Sequence, residues 1–299
     1  MKKIVLLPMD ERPCNYKFPK RLFENEEIQI IEPEQLGFKK DGADYQAIKE
    51  FLCKECKDAY GLIISMDMLL YGGLIPSRIH HQDEESLVKK LEIIKELRKE
   101  NPNLKIFAFQ CIMRCPSYSS SDEEPDYYEE YGKQIHDLGE AVNMHQVGIS
   151  QGQRISELTK EIPEEYIEDF ISRREINRQM NMNVIDLLQE GYLDSLIIPQ
   201  DDSTTYGYPA MDQKVIREKI QELGLIDRVL IYPGADEVEL TLFARMLNTI
   251  KGKCPKVYVK YACEKSKQIV PLYEGFPLDS TVAYHILSAG CQQTFSFEQ

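Results

Sequence analysis

Short apolar runs in this sequence end, one after another, in side chains that can do chemistry. "LLPMDERPCN" delivers Asp10, Arg12 and Asn15, and "SMDMLLYGGLIPSR" delivers Asp67, Tyr71 and Arg78. "MRCPSYS" carries Arg114 and Tyr118. "IIPQDDSTTYGYPAMDQ" ends its apolar run on the adjacent pair Asp201 and Asp202, and "YPGADEVE" follows with Asp236 and Glu237. Carboxylates accept hydrogen bonds from hydroxyls, hold divalent cations, or serve as general acid and base. Arginines clamp a carboxylate or phosphate through two parallel N–H bonds. In an extended chain Asp201 and Asp202 point to opposite sides, so one can hold substrate while the other transfers a proton. If two carboxylates converge, their repulsion raises one pKa and produces a general acid.

Each of these residues also has an ordinary explanation. Loops are polar, and Asp caps the helices that follow them. Asp236, for example, is placed to cap "EVELTLFARMLNTIKG". That account weakens when five run ends in succession carry carboxylates or guanidiniums, with Gly and Pro shaping the loops between.

The elements that must position these residues are legible from the patterning. Strand-length apolar runs lie at 3–8, 28–32, 61–66, 105–112, 195–199, 228–233 and 256–262, with a weaker one, "QIVPL", at 268–272. Continuous rather than alternating apolar character suits strands covered on both faces. Between them, "DEESLVKKLEIIKELRKENP" repeats Leu87, Leu91, Ile94 and Leu97 at helical spacing, with Asp83 as N-cap and Asn101-Pro102 as the stop. "PEEYIEDFISRREINRQMNMNVIDLLQEG" buries Ile167, Phe170, Ile171, Met180, Val184 and Leu188. A βαβα order predicts an α/β fold with a mainly parallel sheet flanked by helices, doubly wound and Rossmann-like; a (β/α) barrel is the alternative. The expected organisation is an N-terminal α/β unit over 1–115, a helical excursion over 116–190 capping the site, and a second α/β unit over 191–299 continuing the same sheet. In such folds ligands bind at the C-terminal edge of the strands, so the five run ends define one rim.

The 299 residues carry 36 basic and 50 acidic side chains, a formal charge of −14. That argues against a nucleic-acid partner, although a local basic pocket is compatible with it. No run of ~18 apolar residues exists to span a membrane. "MKKIVLLPMDERPCN" begins like a signal peptide, but its apolar run is short and Asp10, Glu11 and Arg12 interrupt it, so it reads as the first strand of a cytoplasmic protein. The single CxxC, Cys53 and Cys56, has no second pair to complete a zinc site, and the eight cysteines read as reduced thiols. "GISQG" around Ser150 lacks the strand that a nucleophile elbow needs. His80-His81 reads as solvated loop rather than a metal pair, and the tyrosines of "EEPDYYEEYG" read as helix packing before they read as a sugar-stacking lid.

In combination, "LLPMDERPCN", "SMDMLLYGGLIPSR", "EEPDYYEEYG", "PQDDSTTYGYPAMDQ" and "YPGADEVELTLFARML" resemble the bacterial family catalogued as domain of unknown function 4127. The resemblance covers most of the chain and implies no particular activity. It implies that Asp10, Arg12, Asp67, Arg78, Asp201, Asp202, Asp236 and Glu237 fall in family motifs. It also implies further α/β units beyond "SAGCQQTFSFEQ", which makes this chain a truncated or short member.

The functional expectation is a hydrolase-like cytoplasmic enzyme for a small, hydroxyl-rich and anionic substrate such as a sugar derivative. Asp201 or Asp202 serves as acid or base, and Asp236 or Glu237 as the second carboxylate. Asp10, Arg12, Asn15, Asp67, Arg78 and Arg114 bind substrate. No cofactor is required by this scheme, but bound Mg²⁺ or Mn²⁺ is an alternative in which the carboxylates become ligands. A non-catalytic sugar- or metabolite-binding protein, and a scaffold whose acidic residues lie apart in solvent, are the rival classes. Oligomeric state has no signature in the sequence.

Overall fold

The apolar runs assemble into one sheet. The computed structural model describes residues 1–201, 203–271 and 274–296. The chain opens with β1 (Lys2–Leu7), the short helices α1 (Pro13–Tyr16) and α2 (Phe18–Phe23), β2 (Ile28–Ile31) and α3 (Tyr45–Glu55). β3 (Gly61–Ser65) runs directly into α4 (Met66–Tyr71), followed by α5 (Leu74–Ile79), α6 (Glu84–Glu100) and β4 (Lys105–Phe109). Three helices come next: α7 (Tyr128–Gln146), α8 (Gly152–Glu161) and α9 (Glu164–Gln189). β5 (Ser195–Gln200), α10 (Tyr208–Glu222), β6 (Val229–Pro233) and α11 (Val238–Lys251) follow. The last elements are β7 (Lys256–Tyr258), a 3₁₀ turn at Glu264–Gln268, α12 (Leu278–Ser288) and β8 (Gln292–Thr294).

The six-stranded sheet has the order β2-β1-β3-β4-β5-β6, parallel throughout. It is open, so the doubly wound fold is correct and the barrel alternative is not. Burial explains the continuous apolar runs. Val5, Leu7, Leu62, Ile64, Ile106, Ala108, Leu196 and Ile198 face one core, shared with helices α3, α6, α9 and α10. The alternating residues Ile4, Leu6, Ile63, Phe107, Phe109 and Ile197 face a second core, closed by Val238, Leu242, Phe243 and Met246 of α11. A strand buried on both sides has no face left for polar residues.

Helix boundaries follow the local chemistry. Asp83 caps α6 by accepting the Ser86 N–H at 2.8 Å, and Asp44 caps α3 by accepting from Ala47 at 2.8 Å. Ser65 caps α4 by accepting from Met68 at 3.2 Å. Gly72 stops α4 at φ 88°, and an added Cβ there would meet the Ala43 nitrogen at 2.6 Å. Only glycine fits this turn, which sets the direction of α5. A third cluster, with Tyr128, Ile135, Leu158, Phe170 and Tyr208, packs helices α7 to α10 together.

Two expectations about strands change. β7 does not join the main sheet; it pairs in parallel with β8 in a separate two-stranded sheet. "QIVPL" is not a strand where it is described: Gln268 ends the 3₁₀ turn, and Ile269 and Val270 are exposed. Pro271 lacks the N–H that a ladder would use. Among the described residues, no helix is long and apolar enough to cross a membrane, and all eight cysteines are free.

Candidate functional site

From β1 the chain moves outward first to β2 and then, on the other side, to β3, so the strand order reverses between β1 and β3. A crevice opens outside the C-terminal ends of strands at such a point. A cavity of about 430 Å³ lies here, lined by Asp10, Arg12, Leu74, Ile75, Arg78, Arg114, Tyr118, Ser120, Asp122, Glu123, Glu124, Asp201 and Asp236. Seven of the residues expected from the run ends therefore share one cavity: Asp10, Arg12, Arg78, Arg114, Tyr118, Asp201 and Asp236.

Two charge clusters build it. In the first, Asp10 Oδ2 accepts from Arg12 Nε at 2.8 Å, and Asp10 Oδ1 accepts from Asn15 Nδ2 at 2.8 Å. The other edge of the Arg12 guanidinium donates to both oxygens of Asp236, at 3.0 and 2.5 Å. This fork joins the loop after β1 to the loop after β6. Burial alone would depress the Arg12 pKa, but the two aspartates outweigh it and the guanidinium is held charged. Asp236 is thus an ion-pair partner and not a helix cap; Glu237 occupies the N-cap of α11, without a side-chain cap bond.

In the second cluster, two guanidiniums face three carboxylates. Arg78 donates through NH1 to Glu123 Oε2 at 3.0 Å and through NH2 to Asp201 Oδ2 at 2.7 Å. Arg114 donates through Nε to Glu124 Oε1 at 2.7 Å and through NH2 to Glu123 Oε2 at 2.8 Å. The side chains of Arg78 and Glu124 are 2% and 1% exposed, whereas that of Glu123 is 45% exposed. Burial pushes the Glu124 carboxyl above its ordinary pKa despite both arginines. Burial also acts on Glu123, but there Arg78 and Arg114 prevail and hold the pKa below the usual range.

The remaining expected residues lie elsewhere. Asn15 is buried behind Asp10. Asp67, 2% exposed, is not part of the lining; its Oδ2 accepts the Cys111 N–H at 2.8 Å, just past β4. Burial raises it to about 7 against that hydrogen bond. Glu237 also lies outside the lining, with Oε1 2.8 Å from His285 Nε2 on α12. Asp202 lies outside the described residues.

Three acidic residues were missed. Glu123 and Glu124 belong to "SSSDEEPD", which reads as part of a loop rich in Ser, Pro, Asp and Tyr; only the folded structure shows them as counter-ions of two buried arginines. Glu239, fully buried in α11, accepts the Met9 N–H at 2.9 Å and is raised well above its ordinary pKa by burial. Its place in the first helical turn disguises it as a dipole partner. Glu239 and Asp67 thus grip the backbone just past β1 and β4, fixing two ends of the rim.

Among the described residues, no group of three or more His, Cys, Asp or Glu is arranged to hold a metal ion. His80 is not half of a metal pair: its Nε2 lies 2.8 Å from Asn177 Oδ1, and its ring stacks on Tyr71. Tyr127 stacks on Tyr166, and Tyr128 is buried against Phe170, so these tyrosines pack the helices.

The family model described as protein of unknown function DUF4127 matches residues 4–299, and the chain belongs to that family. No curated protein matches it.

Proposed function

We propose that this DUF4127 member is an enzyme for a small, hydroxyl-rich substrate with an anionic group, bound in the cavity between the ends of β1 and β3. The observation that carries the reading is the convergence of Arg12, Arg78 and Arg114, from three separate segments, on one cavity with Asp10, Asp201, Asp236, Glu123 and Glu124. The arginines supply anion recognition. The carboxylates supply acceptors for hydroxyls, and a hydrolytic acid–base reaction is the chemistry most economically built from them.

Within this scheme Asp201, partly exposed on Arg78 NH2, is the base. Asp236, half-exposed on Arg12 across the cavity, is the second carboxylate. The fine assignment to a sugar derivative rests on the density of acceptors around a cavity of small-metabolite size.

Calorimetry against sugar acids, sugar phosphates and neutral sugars, followed by turnover assays on the binders, tests the reading. Asp201→Asn should retain ligand affinity within a few-fold and lose turnover by on the order of 10²-fold or more. If wild type binds a ligand without turnover, and Asp201→Asn merely weakens binding, the protein is a metabolite binder and the catalytic assignment fails.

A further inference from the structure

Resting on that reading, we infer that Glu123 occupies the subsite for the substrate's anionic group, and that a ligand carboxylate or phosphate binds by displacing it from Arg78 and Arg114. A single oxygen, Oε2, bridges the two guanidiniums, at 3.0 Å from Arg78 NH1 and 2.8 Å from Arg114 NH2. The other partners are of a different kind. Glu124 is sealed in behind the pair, and Asp201 keeps Arg78 NH2 at 2.7 Å. With Glu123 gone, each guanidinium retains one close carboxylate, and the freed N–H groups face the cavity.

Charge points the same way. Three carboxylates surround two arginines, so exchanging Glu123 for a ligand anion leaves the cluster's charge unchanged, whereas adding an anion without exchange would crowd four. Two adjacent guanidiniums are stable in a buried position only with counter-ions in place. A solvent-facing internal carboxylate meets that need while the cavity is empty. Glu123 belongs to residues 116–127, which form neither helix nor strand, so its side chain can swing out without breaking a ladder or a helix.

The ligand group implied is an anion with an oxygen placed where Glu123 Oε2 now sits, in a molecule small enough for the cavity. The test compares wild type, Glu123→Gln and Arg114→Lys by calorimetry with inorganic phosphate, glucuronate and neutral glucose, after circular dichroism has shown native folding. Glu123→Gln keeps the side chain's shape and removes its charge. It should tighten phosphate, glucuronate or both by on the order of 10- to 100-fold, the worth of a charge-assisted hydrogen bond no longer competing. The anion that gains more identifies the group, and glucose should not gain. Equal anion affinity in wild type and Glu123→Gln overturns the inference. If Arg114→Lys then still loses that binding, the cavity reading survives alone; if it does not, both fall.

Discussion

Asp67 offers the sharpest test of how this site is built. Its carboxyl is buried against the Cys111 N–H and raised by burial from an ordinary 3.8 to about 7. The folded protein therefore holds a proton that the unfolded chain releases near pH 4. Stability associated with this group is complete at acid pH and is lost as pH rises toward 7, the reverse of an ion-paired aspartate. Between pH 5 and pH 8 the loss is about 3 kcal/mol, roughly two pH units at ~1.4 kcal/mol each. Asp67→Asn cannot ionise in either state and keeps an oxygen for Cys111, so its stability relative to wild type should rise by about 3 kcal/mol between pH 5 and pH 8. Urea denaturation at half-unit steps of pH gives both profiles. Glu124 and Glu239 are also raised, but they are common to the two proteins and cancel in the difference. Parallel profiles for wild type and Asp67→Asn would refute the claim that this carboxyl is buried as a neutral acid.

Arg78→Met leaves Glu124 with one guanidinium in place of two and should cost about 3 kcal/mol in urea denaturation; the double variant with Glu124→Gln should recover at least a third of that loss, and no recovery would mean that the two side chains are not coupled. Gly72→Ala forces a side chain onto the Ala43 backbone at φ 88° and should destabilise by about 2 kcal/mol or more, read in the same assay.

The sheet was readable because its inner strands β1, β3, β4 and β5 are covered on both faces, leaving continuous apolar signatures at Ile4–Leu7, Leu62–Ile64 and Leu196–Ile198. The order in which they lie side by side is a packing outcome with no local signature. β8 was invisible because Gln292–Thr294 is polar and half-exposed, and "QIVPL" misled because its apolar residues stay outside any core. At the site, Arg12, Arg78, Arg114 and their aspartates were legible because strand ends bring them to one edge. Their partners were not: nothing local in "SSSDEEPD" distinguishes the sealed Glu124 from the half-exposed Glu123 beside it. Nor does a sequence reveal that Asp67 and Glu239 face inward to hold backbone while Asp201 faces the cavity.

The fork between Arg12 and Asp236 joins residues 224 positions apart. Chains emerge from the ribosome amino end first. Arg12, Arg78 and Arg114 are all synthesised long before β6, so a nascent protein carries its guanidiniums for most of its synthesis before Asp236 arrives to complete the cavity. The entropic cost of closing so long a span grows only with the logarithm of its length, by about 0.6 kcal/mol per doubling. The candidate cavity is thus the last part of the sheet edge to be walled in: a fragment ending before β6 would keep the Arg78–Arg114 pair but lack the wall that Asp236 supplies.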